Sequence, residues 1–173
     1  MAFTCTVGSP NCPSVPVPVT RSCFGAVAPA VAASASPKHD RVTGTGTLGQ
    51  FGDPTVHVNA IQTAAGLKGG FTIAYPDGTF AAGLATCLLV AGNTAYITSR
   101  IISSLGPRQQ AENWFSGGYI VIGVQDNGRA GTAGPDLLNF SPGFATDPGC
   151  GPNGAATPVF PIIRGNYRVF GHS

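Results

Sequence analysis

An all-β, antiparallel fold is what this sequence predicts, on three observations. Short runs of alternating apolar and polar residues recur from about Thr43 to Phe170, turn residues interrupt them about every ten positions, and no stretch sustains a helical period. About seven to nine strands of this kind suit either an antiparallel β-sandwich or a small β-barrel, and the pattern leaves both open.

Thr55-Val56-His57-Val58-Asn59-Ala60-Ile61 alternates strictly, which places Val56, Val58 and Ala60 on one face and polar residues on the other. Phe71 to Tyr75 is the next run, and it stops at Pro76-Asp77-Gly78, a tight-loop sequence after which a strand starts at Thr79. The apolar run Ala85 to Val90 meets Gly92-Asn93, whose tolerance of positive φ fits a two-residue hairpin, and Thr94 to Thr98 returns. Tyr119 to Val124 is β-branched and closes at Asp126-Asn127-Gly128; Leu137 to Phe140 and Tyr167 to Phe170 complete the set.

Composition sets the class. Only 9% of residues are charged, against about 25% in ordinary domains. Gly and Pro are abundant, at 25 and 15 of 173 residues. The branched and aromatic runs nevertheless supply enough apolar area to order one domain over 43–173. The net charge of +2 is scattered and forms no basic run, which argues against nucleic acid. No apolar stretch approaches the about 18 residues of a membrane-spanning helix. No metal or cofactor motif appears: Cys-x-x-Cys is absent, and His39, His57 and His172 are isolated.

Residues 1–42 differ in character. Pro16-Val17-Pro18-Val19 is extended, and Arg21 precedes an Ala/Val-rich stretch ending in Ala33-Ser34-Ala35, a small-x-small pattern of the kind signal peptidase cuts. The expectation is an atypical export signal, the alternative an uncleaved disordered arm. Removing such a leader leaves Cys87 and Cys150, for which a single disulfide is the natural reading. Secretion or display at the cell surface follows from both.

Recognition is expected in the longest polar connection, Ser103 to Gly118, which holds the only Trp and the only Glu of the chain. Arg108, Gln110, Glu112, Asn113 and Trp114 are its candidate ligand-binding residues, with Trp114 stacking on a sugar ring and the others bonding hydroxyls. Pro107 can open a short helical turn through Asn113, and this supports the opposite reading, in which Trp114 and Phe115 plug one end of the core. Asp126-Asn127-Gly128 with Asp136 and Asp147 offers oxygens for Ca²⁺, but a turn role suits them better because the spacing of a dedicated loop is missing. Catalysis has less support: no Gly-x-Ser-x-Gly elbow exists, so a small extracellular hydrolase would have to work through His57 or Glu112, the latter with Asp126 or Asp136.

Three phrases together carry a resemblance: Thr86-Cys87-Leu88 with Gly92-Asn93-Thr94-Ala95, Val124-Gln125-Asp126-Asn127-Gly128, and Gly165-Asn166-Tyr167. In these the chain resembles a β domain of unknown function found in secreted proteins of actinobacteria and other bacteria. The resemblance implies an extracellular β domain and no catalytic residues. The expected role is a binding or structural module whose partner is a polysaccharide, the cell wall or a protein.

Overall fold

A computed structural model describes residues 39–128, 134–151 and 156–171. The expected export signal falls outside the described residues. Eight strands are present among those described: β1 (Asp40–Leu48), β2 (Thr55–Thr63), β3 (Gly66–Ala74), β4 (Phe80–Ala91), β5 (Thr94–Leu105), β6 (Tyr119–Gln125), β7 (Leu137–Phe140) and β8 (Phe160–Phe170). Each pairs antiparallel with the next, and β8 returns to pair with β1, so the sheet closes into a barrel. β1 begins three residues ahead of the domain boundary expected at Thr43.

The alternation that predicted the strands also fills the barrel. Val56, Val58 and Ala60 of β2 point inward and are fully buried, as are Ile97 of β5 and Ile120, Ile122 and Val124 of β6. On β1 the inward positions include Gly44 and Gly46, and the ring of Tyr167 lies in the slot they leave. A Cβ on Gly46 would come within 2.6 Å of that ring. The Tyr167 hydroxyl donates to the Val56 carbonyl at 2.8 Å, so this buried phenol has its partner. Burial pushes its pKa well above the ordinary value.

β4 is irregular, with register shifts on its β5 side between Ala82 and Gly83 and between Ala85 and Cys87. The second places one extra residue, Thr86, in the strand and reverses the alternation, so that Cys87 faces outward opposite Thr98 instead of into the core. Cys150 meets it there at disulfide distance, with a Cα separation of 5.5 Å. The long β7–β8 connection thus crosses the outer wall, and beside Cys150 the Thr98 hydroxyl donates to the Gly149 carbonyl at 2.7 Å. Ser141, Ala156 and Pro158 of the same connection are buried against the wall, next to Val121 and Gly123 of β6.

Closure at β8 is not wholly a matter of strand pairing. β7 has 4 residues against the 11 of β8, and backbone pairing between them covers little beyond Leu137↔Pro161 and Leu138↔Phe160. Farther along β8, two carboxylates take the place of a strand. Asp136 accepts from the Tyr167 N–H at 2.7 Å and Asp126 from the Val169 N–H at 3.0 Å. Their second oxygens accept from Asn127 N–H at 2.9 Å and Gly128 N–H at 2.8 Å. The Asp-Asn-Gly turn is therefore also part of the barrel seam.

Candidate functional site

Because the strands run alternately up and down, the β1–β2, β3–β4, β5–β6 and β7–β8 connections gather at one end of the barrel. These include the two longest, β5–β6 and β7–β8, whereas at the other end β2–β3 and β4–β5 are two-residue turns and β6–β7 runs over 126–136. The connection singled out in the sequence, from Gly106 to Gly118 once β5 is seen to reach Leu105, belongs to the long-loop end. Over 107–113 it forms successive turns with one helix-like bond, from Glu112 N–H to the Arg108 carbonyl at 2.9 Å.

Arg108 ties three of these connections together. Its Nε donates to Asp77 in the β3–β4 turn at 2.6 Å, its Nη1 donates to the Phe51 carbonyl in the β1–β2 loop at 3.0 Å, and its guanidinium carbon lies 4.6 Å from the Tyr75 ring centroid. The pair with Arg108, joined by the Thr79 backbone N–H, holds the Asp77 carboxyl down from 3.8 to about 2. Arg108 is thus engaged by the protein itself, in a clamp whose other members come from distant sequence.

Trp114 is fully buried. Its ring lies 6.0 Å from Tyr75 and 6.0 Å from Phe140, so it plugs the end of the core and is not placed to stack on a sugar. Of the remaining candidates, Gln110 is exposed and Asn113 donates to the Gly143 carbonyl at 3.1 Å. Glu112 is half-buried, and its carboxylate makes no ion pair or hydrogen bond among the described residues. Exposed large apolar side chains at this end are Phe51, Leu105, Phe115 and Val159, of which Phe51 and Phe115 are aromatic.

A cavity of about 150 Å³ opens between these loops, lined by Phe51, Tyr75, Glu112, Asn139, Phe140 and Pro142. The Tyr75 hydroxyl and the Trp114 indole N–H are closed off from solvent and have no hydrogen-bond partners, an uncommon condition for buried polar groups. Burial first, and then the Glu112 charge, push Tyr75 up to about 12, so it is neutral at physiological pH. Sequence reasoning found Glu112 and missed Phe51, Tyr75 and Phe140. Tyr75 carries a signal only as the aromatic before Pro-Asp-Gly, and Phe51 as an aromatic between glycines in a turn.

His57 faces outward on β2 and bonds the Thr45 hydroxyl through Nδ1 at 2.8 Å. It lines an open depression of about 330 Å³ with Asn59 and Thr72, and Glu112 is not part of that wall. Asp126 and Asp136 belong to the β6–β7 end, opposite Glu112, and are bound to backbone N–H groups. Facing carboxylates of the glycosidase type are therefore not formed by Glu112 with either. Asp147 accepts from the Gly149 N–H at 2.8 Å, a local turn bond. A larger cleft of about 390 Å³ borders β8 and residues 134–136, next to a segment outside the described residues.

No family model matches the chain, and neither the curated proteins nor the solved structures contain a match.

Proposed function

We propose that the protein is an exported β-barrel binding module that takes its ligand at the end where the aromatic cavity opens. One observation carries this reading: a pocket walled by Phe51, Tyr75 and Phe140 also takes in Glu112, a carboxylate with no ion pair or hydrogen bond among the described residues. Pockets with apolar walls and a few polar groups are what small ligands and terminal groups of polymers occupy, and mouths of β-barrels are a common place for them. Export is supported by the Cys87–Cys150 pairing, since such bridges persist in oxidising compartments. The resemblance to secreted bacterial β domains points the same way.

Polysaccharide, cell wall and protein surfaces remain the ligand classes to test. With Trp114 buried, Phe51 and Phe115 are the aromatics placed to meet a polymer, and Trp114→Ala is a poor control because it empties the core. The purified protein is therefore tested for retention on insoluble polysaccharides and bacterial cell walls beside Phe51→Ala and Glu112→Gln. Retention that either substitution abolishes supports the reading. Retention indifferent to both moves the binding surface elsewhere.

The burial of Trp114 favours a second reading, a purely structural surface barrel. Its expectation is self-association through the outer wall, where Leu84, Ile102 and Ile163 are exposed. Sedimentation of a concentration series separates the two: a monomer at all concentrations speaks against it.

A further inference from the structure

Resting on the reading of the barrel end as a binding site, we infer that its cavity takes a methylated ammonium group. The lining has three aromatic rings, from Phe51, Tyr75 and Phe140, one carboxylate and no basic side chain. Aromatic faces attract cations through the ring quadrupole, and several rings around one carboxylate form the cage that quaternary ammonium groups enter.

Charge at this end favours the same occupant. The positive charge of Arg108 forms its direct ion pair with Asp77, and Glu112, half-withdrawn from water, feels that guanidinium only through space. A carboxylate in that condition gains from a cation brought to it. Arg108 already lies 4.6 Å from the centre of the Tyr75 ring, held there by Asp77 and the Phe51 carbonyl. Tyr75 thus already stacks with one cation, and an incoming one draws its attraction from Phe51, Phe140 and Glu112 against the repulsion of that guanidinium.

Size narrows the class. The cavity measures about 150 Å³, below the about 300–1,000 Å³ of sites for drug-sized ligands. It admits a compact head group and excludes a run of sugar rings. A fully methylated, quaternary ammonium has no N–H to satisfy, so aromatic walls suit it better than they suit a primary amine, whose hydrogen-bond donors would be left bare.

The test compares choline with 3,3-dimethylbutan-1-ol, its uncharged carbon isostere, by line broadening of their methyl signals and by quenching or shift of the fluorescence of Trp114, the chain's single Trp. The expected result is saturable binding of choline, at least tenfold weaker binding of the isostere, and at least a tenfold loss of choline affinity in Glu112→Gln with an unchanged thermal transition. Phe51→Ala, which removes one exposed wall, weakens choline without unfolding the protein. Equal binding of the two probes overturns the ammonium inference and leaves the pocket as a site. Binding of neither, with Phe51-dependent retention on a polymer, overturns the inference while the binding reading stands. Binding of neither probe and retention on no polymer overturn the inference together with the small-ligand and polysaccharide forms of the binding reading.

Discussion

Asp136 accepts the Tyr167 backbone N–H at 2.7 Å, and a side chain there does what a neighbouring strand does elsewhere in the barrel. Asp136 is 3% exposed, so a water molecule is poorly placed to replace it. Asp136→Asn turns one acceptor oxygen into an amide that faces an N–H donor. The expected destabilisation is about 1–3 kcal/mol, the cost of a buried donor left without a partner. The more accessible Asp126, bonded to Val169 at 3.0 Å, costs less when changed to Asn. Urea unfolding of both variants checks the order. Equal, negligible effects would mean that the seam holds without carboxylates.

Gly46 and Tyr167 depend on each other in volume. A methyl on Gly46 falls 2.6–2.9 Å from the Tyr167 ring and hydroxyl and from Ile162. Gly46→Ala is expected to destabilise by about 1–3 kcal/mol, as overpacking does. Combining it with Tyr167→Leu, which frees the slot, should destabilise by less than the sum of the two single changes, a coupling read from a double-mutant cycle in urea.

The Arg108–Asp77 clamp makes the long-loop end acid-sensitive. The folded-state pKa of Asp77 lies below its ordinary value, at about 2 against 3.8. Between those values the unfolded chain binds the extra proton. The clamp's contribution is therefore complete above about pH 4 and is lost as pH falls towards 2. Asp77→Asn removes that dependence. The difference in melting temperature between the natural protein and the variant should shrink as pH is lowered through this window; a constant difference would detach the clamp from stability.

Replacing Cys87 and Cys150 by Ser is expected to destabilise by up to about 4 kcal/mol in the chain-entropy model, for a separation of 63 residues. The effect should appear in urea unfolding without reductant and vanish when the parent protein is compared under reductant. Thr98, buried where the strap crosses β5, should gain amide-exchange protection only when the bridge is present.

Much of the fold was legible because its turns carry their own chemistry. Gly92-Asn93 forms the β4–β5 hairpin with Ala91 opposite Thr94, and Leu137–Phe140 and the β2 alternation appear where they were expected. β1 was not legible as a strand. Its inward positions include Gly44 and Gly46, emptied for a ring at Tyr167 far along the chain, so Thr-Gly-Thr-Gly-Thr lacks the usual apolar alternation. Barrel and sandwich were inseparable for the same reason: the pairing of β1 with β8 that closes the sheet leaves no local trace.

The candidate site shows the same limit. Residues 108–114 were marked by composition, but whether Arg108 faces a ligand or the fold depended on Asp77 and the Phe51 carbonyl, two partners from other loops. Trp114 was open to opposite readings until Tyr75 and Phe140 were found beside it.

The closing of β1 on β8 also means that the sheet stays open until the last strand is in place. While β1 to β7 emerge, β1 has β2 on one side and nothing on the other, and β7 is equally bare, so the nascent sheet has two adhesive edges with few charges to repel neighbours. Closing so long a loop is slow. Cys87 and Cys150 both precede β8, so their bridge can form first and hold the half-made sheet curved until the last strand arrives. A protein of this topology made where thiols stay reduced loses that brace at the stage when it most risks clumping with its own copies.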